Sequence, residues 1–156
     1  MIAIMEHAVP AVTNAGRRIP EPMDQAPKPI SSRMHSVLDY LTVGGFLLLP
    51  RLLGAKPAVA NAVTALALGK LAYTAMTDHE GGIVKRIPLK THLMLDGIVG
   101  IAMAAVPFLL EEEDETVTWT LAGMGLFDVA AVPMTDADAY LQRKDDACWR
   151  GFAPLL

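Results

Sequence analysis

Four stretches of this chain stay apolar for about 17 to 20 residues, and each is bounded by polar or turn-forming segments. A helix rises 1.5 Å per residue, so about 20 residues cross the roughly 30 Å of hydrocarbon in a bilayer. The pattern therefore predicts membrane-spanning helices at about residues 37–53, 58–77, 91–110 and 117–135. Gly54-Ala55-Lys56-Pro57 reads as a tight turn between the first two. A polar connection, 78–90, with Gly81-Gly82 and Pro88, leads into the third, and the acidic run Glu111 to Glu115 precedes the fourth. A soluble bundle, the competing architecture, would keep one polar face on every helix. Between Leu93 and Leu110 the sole charge is Asp96, with no polar stripe. The expected fold class is all-α: an integral membrane four-helix bundle.

The flanks differ in character. Residues 1–34 form a polar arm with prolines at Pro10, Pro20, Pro22, Pro27 and Pro29, without the apolar run a cleavable signal peptide carries. The transmembrane domain occupies 35–136. The tail, 137–156, is charged from Arg143 to Asp146 and then carries Trp149, Phe152, Leu155 and Leu156, a segment suited to an interface or a partner subunit. Lys and Arg gather in the arm (Arg17, Arg18, Lys28, Arg33), the central connection (Lys85, Arg86, Lys90) and the tail (Arg143, Lys144, Arg150), against only Arg51 and Lys56 in the other loops. Because retained loops keep such charges, both termini are expected in the cytoplasm of a bacterial inner membrane, with the acidic run outside.

The chain also repeats itself. His35-Ser-Val-Leu-Asp39 matches His92-Leu-Met-Leu-Asp96, and a proline follows each histidine at the same distance, at Pro50 and Pro107. Met76-Thr77-Asp78 matches Met134-Thr135-Asp136. The offsets are 57 and 58 residues, so one insertion separates a first unit, about 35–78, from a second, about 92–136. Each unit is one hairpin of two spans, so both enter the membrane the same way and the repeats are expected to be parallel.

A membrane hairpin with a proline near the end of its first helix resembles the SPW-repeat family of small bacterial and archaeal membrane proteins. Here the motif positions read Leu49-Pro50-Arg51 and Val106-Pro107-Phe108, keeping the proline. The resemblance covers about residues 34–136 and implies a bundle in a membrane, with no particular reaction.

Composition adds exclusions. Of the 156 residues 53% are hydrophobic and the formal charge is -4, with no basic stripe, so nucleic acid is not an expected partner. A single cysteine, Cys148, forms neither an internal disulfide nor a paired-cysteine metal motif. The chain shows no nucleophile–base set, phosphate-binding glycine loop or zinc motif, which favours a protein that is not an enzyme.

The polar residues within the spans carry the candidate chemistry. His35 with Asp39, and His92 with Asp96, are four apart and share a helix face near the cytoplasmic rim, at the level of Asp78 and Asp136. The plainest reading is a clasp between helix ends. The same six residues, His35, Asp39, Asp78, His92, Asp96 and Asp136, are a competent metal-ligand set. His35 and His92 could also hold a haem between them. His79, beside Asp78 and Glu80, is expected to be exposed. Lys70 and Asp128 lie eight residues before Asp78 and Asp136, deep in their spans, and are expected to form an intramembrane ion pair joining the halves. Small residues such as Ala58 with Ala62, Ala65 with Gly69, and Gly97 near Gly100 offer close helix packing. The leading functional expectation is an accessory or scaffold subunit of a larger respiratory or photosynthetic complex, in contact with the lipid bilayer and with protein partners. A small ion, proton or solute transporter is the second, and a haem- or metal-binding membrane protein the third.

Overall fold

The computed structural model describes residues 28–152 and is all-helical apart from one minimal strand pair. Helices α1 (Ser32–Leu52), α2 (Pro57–Ala75), α3 (Leu89–Leu109) and α4 (Glu115–Met134) form a bundle, followed by α5 (Ala137–Phe152). Each bundle helix packs on its neighbours in chain order and α4 returns to α1, with α3 and α4 in the closest contact. Strand β1 (Ile30–Ser31) pairs in parallel with β2 (Thr135–Asp136), tying the start of α1 to the end of α4. The arm before residue 28 lies outside the described residues, as do Leu155, Leu156 and the side chains of Cys148, Trp149 and Phe152.

Local chemistry sets the helix ends. Ser31 caps α1 by accepting the Met34 N–H at 3.2 Å, and Asp114 caps α4 by accepting that of Val117 at 3.0 Å. Pro57 opens α2 at a position where its missing N–H is not needed. Pro50, Pro107 and Pro133 each sit within two residues of a helix end, since proline removes a backbone donor and crowds the carbonyl four residues back. Gly54, at φ 77°, turns the chain after α1, as its place in the expected tight turn requires. Across that end of the bundle Lys56 binds the acidic loop: its backbone N–H reaches Glu112 Oε2 at 2.8 Å and its ammonium reaches Glu113 at 2.9 Å and the Glu111 carbonyl.

Three helices, α2, α3 and α4, are long and apolar enough to cross a membrane. Helix α1 has the length, but His35, Asp39 and the arginines at its two ends lower its mean hydropathy. Its outer face is nonetheless apolar, with Val37, Leu41, Leu48 and Leu52 all at least half exposed. The exterior continues through Leu68, Met94, Ile98, Ile101, Trp119 and Leu126. Arg51 folds back along α2, donating to Thr64 Oγ1 at 2.6 Å.

The interior is divided along its length. Toward the acidic loop it is filled by Phe46, Val59, Val63, Ala67, Met103, Val106, Val117 and Leu121. Toward the opposite end it is polar and charged, a reversal of the usual soluble arrangement. Of the small residues expected to pack, Gly100 does so: a Cβ there would lie 2.8 Å from the Gly125 carbonyl oxygen of α4, while Gly97 and Gly69 face open space. A helix crossing buries only the residues on its contact side, and sequence spacing alone does not say which side that is.

Candidate metal centre

The polar half of the interior is one cluster. His35 and Asp39 come from α1, His92 and Asp96 from α3, and the two pairs face each other across the bundle. His35 Nε2 lies 2.9 Å from Asp96 Oδ2, and His92 Nε2 lies 2.9 Å from Asp39 Oδ2. The contacts within each helix are 3.6 Å for His35 with Asp39 and 2.9 Å for His92 with Asp96. One atom from each of the four residues falls within 4.8 Å of the others, and all four residues are buried.

The remaining carboxylate oxygens turn the other way. Lys70 Nζ sits between Asp39 Oδ1 at 2.9 Å and Asp96 Oδ1 at 2.7 Å. Asp128 Oδ2 lies 3.3 Å from the same ammonium, in ion-pair range but without a well-directed hydrogen bond. The expected Lys70–Asp128 pair therefore exists as one edge of a larger network. Tyr73 adds a hydrogen bond from its hydroxyl to Asp96 Oδ1 at 2.7 Å.

Two threonines fix the imidazoles. Thr77 donates to the Tyr73 carbonyl at 2.7 Å and Thr135 to that of Ala131 at 2.7 Å, so each hydroxyl proton is committed to its own chain. The hydroxyl oxygens then accept from the rings, Thr77 from His92 Nδ1 at 3.0 Å and Thr135 from His35 Nδ1 at 2.9 Å. With Nδ1 carrying the proton, Nε2 of a neutral ring presents its lone pair to the carboxylate oxygens. Lone pairs approach this closely only around positive charge, which two further protons or one cation between them would supply.

Two nitrogens and two oxygens converging from two helices match a four-coordinate centre for a divalent metal of intermediate softness. Metal–ligand bonds of 2.0–2.1 Å set tetrahedral edges of about 3.3 Å, so the three 2.9 Å contacts would widen by a few tenths of an ångström and the 3.6 Å contact would shorten by about as much. The supporting groups also fit: a hydroxyl on each Nδ1 holds the ring orientation, and Lys70 and Tyr73 hold the outer carboxylate oxygens. A haem does not fit, because a porphyrin between the two Nε2 atoms would pass through the space of Asp39 Oδ2 and Asp96 Oδ2.

The other expected ligands lie elsewhere. Asp78 accepts from Tyr140 at 3.0 Å and pairs with Lys144, which holds its carboxyl below the usual aspartate range. Asp136 caps α5 through the Ala139 N–H at 2.9 Å. Both residues sit beyond the helix ends, facing α5, so they match His35 and His92 in level but not in direction. His79, expected exposed, is fully buried: its ring stands edge-on to that of His92 with centroids 5.3 Å apart. Its Nδ1 accepts the Gly81 N–H at 3.0 Å, and its Nε2 has no hydrogen-bond partner among the described residues. Burial lowers its pKa. Sequence reasoning missed Tyr73, Thr77 and Thr135. Thr77 and Thr135 were within reach, since each is the middle residue of the repeated Met-Thr-Asp tripeptide. In comparisons with known proteins, no family model, no curated protein and no solved structure matches this chain.

Proposed function

We propose that this chain is a small multi-pass membrane protein that holds one divalent transition-metal ion inside a bundle of four membrane-spanning helices. The observation that carries the reading is the convergence of His35, Asp39, His92 and Asp96, four buried ligand atoms within 4.8 Å. Charge supports it. Three carboxylates, Asp39, Asp96 and Asp128, face one ammonium, Lys70, so neutral imidazoles leave two negative charges that a divalent ion balances. The donor set favours zinc, iron, cobalt, nickel or manganese over magnesium or calcium, which take all-oxygen shells.

The membrane placement rests on inverted polarity: charge is enclosed, apolar side chains cover the outside, and α1 matches the length of the three apolar helices. Helices of 19–21 residues at 1.5 Å each span about 30 Å. The reciprocal contacts of His35 with Asp96 and His92 with Asp39 support the reading of two parallel hairpin repeats. The metal reading stands ahead of the scaffold and transporter expectations because it uses residues that the structure brings together. The protein purified from membranes in mild detergent should carry about one metal ion per chain by elemental analysis. After chelation, Co2+ should restore a visible band that His35→Ala with His92→Ala abolishes. Membrane-extracted protein with no stoichiometric metal and no Co2+ band would leave the imidazoles protonated in place of the metal, and the proposal would fail.

A further inference from the structure

A buried centre needs a route by which an ion reaches it. The side chains of His35, Asp39, His92 and Asp96 are at most 3% exposed, so some part of the cover must move. On the side of the helix ends the ring above His92 is His79. It is carried by a short loop after α2, folded so tightly that a Cβ on Gly82 would fall 1.8 Å from the Thr77 carbonyl oxygen. Gly81 packs against α1, where a Cβ would lie 2.9 Å from Ser36 Oγ, and its carbonyl accepts from Tyr40 at 2.9 Å.

Beyond its backbone hydrogen bonds and the Tyr40 contact, the loop is fastened by its two acidic residues, mainly from α5. Asp78 holds Tyr140 and Lys144; Glu80 holds Arg143 at 3.2 Å and Ser32 of α1 at 2.6 Å. Arg143 and Lys144 are both more than half exposed, so these fastenings are open to solvent and to competing ions. Between the two carboxylates stands an imidazole whose Nδ1 lone pair is occupied by the Gly81 N–H only while the loop keeps this shape. Loosening the loop frees that lone pair with no change of tautomer. Asp78, His79 and Glu80 then offer two carboxylates and one imidazole, the donor types of the buried centre itself.

We propose that His79 is the capture ligand of this protein: with Asp78 and Glu80 it takes a divalent ion at the helix-end face, displacing Lys144 and Arg143, and passes it to His35, Asp39, His92 and Asp96. This rests on the metal-centre reading. It also accounts for the buried Nε2 of His79, unpartnered among the described residues, which closes over the centre once the loop folds back. The test is the rate at which chelated, detergent-solubilised full-length protein takes up Co2+, followed by the visible band, with final occupancy measured separately. His79→Gln should slow uptake at least tenfold while reaching the same occupancy, and His79→Cys, which restores a ligand atom, should recover most of the rate. Tyr140→Phe with Arg143→Gln, which unfastens the loop, should speed uptake and release together. Equal rates for wild type and His79→Gln, or Gln and Cys variants that behave alike, would overturn the capture role alone. A His79→Gln protein with no ion at equilibrium would make His79 part of the centre and also overturn it. A wild-type protein that takes no Co2+ refutes the centre and the capture role together.

Discussion

Lys70→Met is the sharpest probe of the buried network. The ammonium lies 2.9, 2.7 and 3.3 Å from carboxylate oxygens of Asp39, Asp96 and Asp128, with its own side chain 1% exposed. At an effective dielectric of about 20, each contact is worth roughly 5 to 6 kcal/mol before desolvation. Removing four charges from water offsets most of that, and deleting one partner of a buried pair typically costs about 3–5 kcal/mol. Methionine keeps the stem volume, so the loss reads the charge and not a cavity. Metal-free Lys70→Met should therefore unfold about 3–5 kcal/mol more readily than wild type in a mixed-micelle denaturation assay. Asp128→Asn added to it should cost less than the sum of the two single changes, because in the Lys70→Met background Asp128 has already lost its cation. A Lys70→Met protein within about 1 kcal/mol of wild type, or strict additivity in the cycle, would show that the ammonium does not hold these carboxylates together.

Three further outcomes follow from the same geometry. Thr135→Val or Thr77→Val leaves a buried imidazole N–H without its acceptor, and should weaken metal affinity about 10- to 100-fold in a chelator competition. Gly100→Ala should destabilise the bundle by about 1–3 kcal/mol, since its Cβ would meet the Gly125 carbonyl oxygen at 2.8 Å, whereas Gly97→Ala, with open space, should be neutral in the same denaturation assay. Docking of α5 should weaken in acid. Asp78 and Asp138 are held below the ordinary aspartate value, first by hydrogen bonds from Lys144 and Lys90 respectively, so their contribution is whole above about pH 4 and is lost as pH falls through their lowered native values. Hydrogen exchange along α5 should rise over that interval and with added salt; an unchanged profile would argue that these ion pairs do not hold the helix.

The sequence by itself located the four long helices to within about five residues of their ends, because hydropathy, glycine and proline act locally; three of them are apolar enough to cross a membrane. Its two similar segments also suggested which residues correspond: His35 with His92, Asp39 with Asp96, Lys70 with Asp128. A spacing of four puts each histidine and aspartate on one helix face wherever that helix goes. What it left open was direction. A helical pattern does not say which neighbour a face meets, so the two histidine–aspartate pairs, read as rim clasps, and Lys70, read as a separate deeper pair, became one network only through the packing of the four helices in chain order with α4 back on α1. Asp78 and Asp136 share the level of the cluster but turn toward α5, because they stand beyond the ends of their helices. His79 sits in a polar loop and looks exposed by composition; the return of the loop over α1 and the fastening by α5 bury it. Those contacts link residues distant in the chain, and only the tertiary structure decided them.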